Sequence, residues 1–163
     1  MNISVEPVIS STAFLLALLL LIFAVDWRYF RDWIVVFLYK SLLDSLWGSA
    51  VVNAGRIEFP FRQLPQLFKM GLLFDYWVFP ILCVWYNHIT RERGLWQIFF
   101  YAVLFSAGMT AIEFPLELYT NLIKYIKWDW FTTFYTLTIT FLSSRAFIAF
   151  YRWGCDYFGR TKP

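Results

Sequence analysis

Charged residues are scarce in this sequence. Only 15% of the 163 residues are Asp, Glu, Lys or Arg, against roughly 25% in ordinary soluble domains. Hydrophobic residues make up 60% of the chain, and its mean hydropathy is +0.57. Because a soluble domain of this size exposes a polar surface, the composition excludes an ordinary soluble fold and predicts a membrane protein.

Glycine, proline, cysteine and histidine are also rare. Seven Gly and six Pro are too few for a disordered, collagen-like or low-complexity chain. The single histidine, His88, excludes a zinc site built on two or three histidines, and the two cysteines form no CxxC pair. The sequence has no GxSxG, P-loop or GxGxxG motif. We therefore expect no enzymatic activity, no cofactor and no metal site.

Long apolar runs are present instead. A helix rises about 1.5 Å per residue, so a hydrocarbon core about 30 Å thick needs roughly 20 apolar residues. The runs are continuously apolar, which favours helices over the alternating pattern of barrel strands. We predict an all-α integral membrane helical bundle with about five transmembrane helices, forming a single domain over residues 1–163. The predicted spans are 8–25, 33–53, 69–87, 95–112 and 131–153.

The orientation follows from the basic residues. We expect the first run to be a retained helix, because no Lys or Arg precedes it and no small-x-small cleavage site follows it. The side of the first turn, third turn and C-terminal tail carries Arg28, Arg31, Arg91, Arg93, Arg152, Arg160 and Lys162. The opposite side carries Arg56, Arg62, Lys69, Lys124 and Lys127. The positive-inside rule then favours an orientation with the N-terminus outside and the C-terminus inside.

Residues 115–130 form neither an obvious span nor an ordinary loop. Their apolar side chains recur with helical spacing, while lysines occupy other faces. Proline is favoured in the first turn of a helix, where Pro115 would lie. We predict an interfacial amphipathic helix over 115–130. The alternative is that the segment extends the fifth helix.

The tetrapeptide Ile-Glu-Phe-Pro occurs twice, at 57–60 and at 112–115. Each copy follows an even-numbered predicted span. The pattern fits a duplicated helical hairpin, in which spans two and three match spans four and five. In so biased a composition, a repeated tetrapeptide also arises by chance.

Ionisable residues inside the predicted spans are candidates for function. Placing each one at the centre of a bilayer costs about 2.5 to 3.5 kcal/mol, so we expect each to have a charged partner or a functional role. Lys40 and Asp44 are one helical turn apart and can pair within their own helix. Asp75 precedes Pro80, whose missing N–H weakens the helix near a buried acid.

The remaining candidates lie in the last two spans. Glu113 and Glu117 are four residues apart, so a continuous helix places them on one face. Arg145 lies about two-thirds of the way through the last span, and we expect it to pair with Asp75 or Glu113. The predicted charge network is therefore Lys40, Asp44, Asp75, Glu113, Glu117 and Arg145.

Three functions fit such a network. The charges can fix helix register in a non-enzymatic structural or accessory membrane protein. They can conduct protons or ions, or bind a transported molecule, in a transporter or channel component. The aromatic residues, 23% of the chain, suggest a third function, binding of a lipid or an apolar ligand. Expected partners are membrane lipids, a second copy of the chain or another membrane protein. Scattered basic residues without a groove-reading motif argue against nucleic acid.

Two sequence segments carry a resemblance to a known family. They are Glu-Phe-Pro-Leu-Glu at 113–117 and Lys-Tyr-Ile-Lys-Trp-Asp-Trp at 124–130, followed by an aromatic last helix that contains Arg145. Together they resemble an uncharacterised family of small multi-pass membrane proteins of spore-forming Gram-positive bacteria. The resemblance implies a bacterial plasma membrane and supplies no activity. The nine tryptophans and the span count also resemble the tryptophan-rich sensory proteins, whose Trp-x-Pro-Pro loop is missing here.

Overall fold

A computed structural model describes residues 5–61, 71 and 73–159. Within these residues the predicted all-helical class is confirmed. The five α-helices of the described residues are α1 (Val5–Phe23), α2 (Phe30–Asn53), α3 (Phe79–Ile89), α4 (Leu95–Tyr119) and α5 (Trp130–Gly159). Two short strands, β1 (Ile57–Glu58) and β2 (Lys124–Tyr125), form an antiparallel ribbon.

Three helices in the described part of the chain are long and apolar enough to cross a membrane: Val5–Phe23, Trp27–Asn53 and Leu95–Tyr119. The predicted run 69–87 lies partly outside the described residues. Its helical part is a π-helical turn, Phe74–Val78, that continues into α3. The helix α5 has 30 residues and carries hydroxyl and charged residues along its length. Both α4 and α5 extend beyond their predicted spans.

The end of α2 is defined by backbone geometry. Gly55 adopts a positive φ of 63°, which glycine adopts without the steric cost of a Cβ atom. The N–H of Gly55 donates to the carbonyl of Val52, and that of Arg56 donates to the carbonyl of Val51. This pair of bonds satisfies carbonyls that the helix end leaves free, and it directs the chain into β1.

The π-helical turn before α3 is followed closely by a proline, Pro80, in the first turn of α3. Pro80 has no N–H to donate to the carbonyl of Tyr76, so a regular α-helix would be interrupted there. A π-helical turn inserts an extra residue into the helix and commonly occurs at functional sites. Asp75 lies within this turn.

The core lies between α2, α3, α4 and α5. Val36, Tyr86 and Ile148 are completely buried, and Phe141 is almost so. The Tyr86 hydroxyl donates to the carbonyl of Ile98 at 3.1 Å. This bond removes the cost of burying a polar atom among apolar side chains.

The predicted interfacial helix over 115–130 is wrong. The helix α4 continues through Pro115 to Tyr119, and the chain then leaves helical geometry until α5 begins. Lys124 and Tyr125 pair with Glu58 and Ile57 of β1. The alternative, that this segment extends the fifth helix, is wrong for the same reason: pairing with a distant segment satisfies its backbone.

The two Ile-Glu-Phe-Pro copies adopt different structures. Ile57 and Glu58 form β1, whereas residues 112–115 are inside α4. The duplicated hairpin therefore has no counterpart in the local structure of the two copies.

The two cysteines give a direct measure of folding. Both are free, and Cys83 is completely buried whereas Cys155 is exposed. A maleimide should therefore label one cysteine in the folded protein and two after denaturation. The Cys155→Ser variant should show no labelling until it unfolds. Labelling of Cys83 in the folded protein would contradict the packing of α3.

Candidate functional site

A cavity of about 170 Å³ lies between α2, the π-helical turn, α4 and α5. Residues of β1 and of the segment after α4 also line it. Cavities of about this size bind small ligands such as benzene. Four residues of the predicted charge network line it: Lys40, Asp44, Asp75 and Glu113.

The pairing of Lys40 with Asp44 predicted from their spacing is present. The Lys40 ammonium donates to Asp44 Oδ1 and lies 5.4 Å from the centre of the Phe79 ring. The Lys40 side chain is only 4% exposed and that of Asp44 17%. The second carboxylate oxygen of Asp44 is buried and has no hydrogen-bond partner. The pair therefore leaves part of its hydrogen-bonding capacity unused.

Asp75 reaches the cavity from the π-helical turn. Within the part of the chain that the structure describes, no hydrogen bond or ion pair reaches its carboxylate. Asp44, Lys40 and Glu113 line the same cavity. Asp75 is thus the carboxylate in the cavity with no direct partner among the described residues.

Glu113 lies on the α4 side of the cavity and is held by hydroxyl groups. The Tyr125 hydroxyl donates to Glu113 Oε1 at 2.6 Å, and Thr133 contacts the same oxygen at 3.4 Å. Trp128 Nε1 in turn donates to the Thr133 hydroxyl at 2.8 Å. Burial, and then the neighbouring Glu113 carboxylate, raise the pKa of Tyr125 above its usual value, so this residue remains a protonated donor.

Sequence reasoning missed Tyr125, Trp128 and Thr133. The first two lie in the segment 115–130, which was interpreted as an interfacial amphipathic helix. Thr133 is one of many hydroxyl residues along α5. No local pattern in the sequence distinguishes these residues, because the ribbon brings them to Glu113.

Two residues of the predicted network lie outside the cavity. Glu117 is one turn beyond Glu113 on α4 and is not among the cavity residues. Arg145 donates to the backbone carbonyls of Arg91 at 3.0 Å and Thr90 at 3.4 Å. The prediction that it pairs with Asp75 or Glu113 is wrong. These carbonyls lie in the turn just after α3, where a guanidinium supplies hydrogen bonds that a helix would otherwise provide.

A second charged cluster lies near Arg145. Asp32 Oδ2 accepts from Arg152 at 2.7 Å and from Arg91 at 3.3 Å. The Arg91 guanidinium also stacks 3.2 Å from the centre of the Tyr29 ring. These contacts join the start of α2, the turn after α3 and the last third of α5. The cluster therefore ties three segments together at the end of the bundle opposite the ribbon.

The described ranges bring together no group of three or more His, Cys, Asp or Glu residues able to hold a metal ion. The cavity instead combines apolar walls with a few charged groups. No family model, curated protein or solved structure matches this chain. The family resemblance thus stays a prediction.

Proposed function

We propose that this chain is a non-enzymatic membrane protein that binds a small molecule in the cavity between α2, the π-helical turn, α4 and α5. In this proposal all five helices lie in a bacterial cell membrane, with the N-terminus outside. The observation that carries it is the convergence of Lys40, Asp44, Asp75 and Glu113 on one mainly apolar cavity, where Asp75 has no partner among the residues that the structure describes.

The exposed surface supports the membrane part of the proposal. Large apolar side chains are strongly exposed, among them Phe23 at 80%, Leu95 at 85% and Trp96 at 87%. Soluble monomers rarely expose extensive apolar surface, whereas lipid covers it. On α5, hydroxyl groups such as those of Thr136 and Thr140 donate to carbonyls of their own helix. This bonding lowers the cost of placing a polar helix in lipid.

The cavity favours ligand binding over a purely structural role. Lys40 and Asp44 belong to the same helix, so their ion pair does not connect two helices. A carboxylate in a mainly apolar cavity that has no partner among the described residues is unfavourable, and a bound molecule can supply the missing interaction. Ligand sites in helical bundles are mostly apolar with a few convergent polar groups, as here.

A structural role is better supported for the second cluster. Asp32 bonds both Arg91 and Arg152, which come from different parts of the chain. These contacts are satisfied within the protein and need no ligand. We therefore assign assembly to this cluster and ligand binding to the cavity.

Filling the cavity tests the proposal. Thr136 lines it, whereas Thr138 on the same helix does not. We expect the wild-type protein, released from membranes in mild detergent, to carry a small-molecule adduct in native mass spectra. Thr136→Phe should lose this adduct, because the larger ring occupies the ligand's volume.

Thr138→Phe is the matched control. Each threonine hydroxyl donates to the carbonyl four residues earlier, at 2.7 Å for Thr136 and 2.8 Å for Thr138. Both variants lose the same type of bond and gain the same ring. The adduct should persist in Thr138→Phe. A wild-type protein without an adduct, or one adduct pattern common to all three proteins, would contradict ligand binding.

A further inference from the structure

We infer that the cavity takes a small organic cation with an apolar body, and that Asp75 is its counter-ion. This inference rests on the proposed function, because it requires that the cavity bind a ligand. It adds the charge and the chemical class of that ligand.

Among the residues that the structure describes, the charges that line the cavity are unbalanced. Three carboxylates, on Asp44, Asp75 and Glu113, face one ammonium, on Lys40. Asp44 offsets the charge of Lys40, and hydroxyl donors stabilise Glu113. Within the described ranges, Asp75 has neither kind of partner. A cation beside Asp75 supplies the missing charge, whereas an anion would be repelled by the excess of acids.

The walls select an organic cation over a metal ion. Aromatic rings line the cavity, contributed by Trp47, Phe59, Phe74, Phe79 and Trp128. Hard metal ions require several oxygen ligands, and the described residues assemble no such group. Aromatic faces attract organic ammonium groups and also cover their apolar parts. Lys40, 5.4 Å from the Phe79 ring centre, already makes one such contact.

The experiment compares two probes of one shape. Benzyltrimethylammonium is a cation, and neopentylbenzene is its neutral counterpart, with carbon in place of nitrogen. Both are titrated by native mass spectrometry against wild-type protein, Asp75→Asn, Asp75→Glu and Glu117→Gln. Glu117→Gln is the matched control, because it removes a carboxylate of α4 that does not line the cavity.

We expect the cation to bind the wild type more tightly than the neutral probe does. Asp75→Asn should weaken cation binding by about tenfold or more, since it removes the counter-ion. Affinity for the neutral probe should change little. Asp75→Glu should retain cation binding, and Glu117→Gln should match the wild type. Protection of Cys83 from maleimide shows that each variant is folded.

Two other results separate the inference from the proposed function. In the first, both probes bind the wild type equally, Asp75→Asn leaves their binding unchanged, and Thr136→Phe abolishes it. This result would overturn the inference that the ligand is a cation, but it would support the proposal that the cavity binds a ligand. If neither probe binds, or if Thr136→Phe binds both as the wild type does, the cavity is not a ligand site, and both proposals are wrong.

Discussion

Replacing Lys40 by methionine should lower the free energy of unfolding by about 3–5 kcal/mol, the range observed when one partner of a buried ion pair is removed. The Lys40 and Asp44 side chains are 4% and 17% exposed. Methionine fills a similar volume but leaves the Asp44 carboxylate buried without its cation. Thermal unfolding in detergent, monitored by maleimide labelling of Cys83, measures the loss.

The double variant Lys40→Met/Asp44→Leu should be more stable than Lys40→Met alone. It removes both charges, so no uncompensated ion remains in the apolar interior. The double-mutant cycle yields the coupling between the two positions. Losses that simply add would show that the pair contributes no interaction, and our interpretation of this contact would be wrong.

The Asp32→Asn variant should lose about 3 kcal/mol of stability, because hydrogen bonds to charged groups contribute about 1.5–3 kcal/mol each. Asp32 accepts from both Arg91 and Arg152. Neutralising it leaves two guanidiniums close together without their shared carboxylate. Asp156→Asn, at an exposed position of α5, is the control and should stay near wild type.

The same unfolding assay distinguishes the two clusters. Asp32→Asn should destabilise the protein without changing the affinity for benzyltrimethylammonium, because the cluster lies at the opposite end of the bundle. Asp75→Asn should change the affinity with little loss of stability. If Asp32→Asn has the stability of Asp156→Asn, the cluster does not hold the three segments together.

Local spacing predicted the features that are decided within one helix. Lys40 and Asp44 are four residues apart, which is one helical turn, so their pairing follows from the sequence alone. A weakening of the helix near Pro80 was predicted in the same way, because proline lacks the N–H that a regular helix needs, and the structure has a π-helical turn directly before α3. The helical class followed from composition and from the length of the apolar runs.

Contacts between distant segments could not be predicted by such reasoning. The ribbon pairs Glu58 with Lys124 across more than sixty positions, and the helical spacing of residues 115–130 gave no sign of it. Arg145 was assigned a carboxylate, yet backbone carbonyls at the end of α3 accept its hydrogen bonds. The site at Glu113 depends on both the ribbon and the start of α5, so its partners emerged only from the fold.

The Lys40 and Asp44 pair has a consequence for biosynthesis. Helices are made from the N-terminus onward, and in a membrane α2 would enter the bilayer before α4 and α5 exist. Because Lys40 and Asp44 are on the same helix, each charge of this pair has its counter-ion within α2. No later helix is needed to neutralise them. Asp75 has no such companion in its own turn. In a membrane, α2 would therefore be inserted as an almost neutral segment, whereas the segment with Asp75 would carry a carboxylate without a counter-ion of its own.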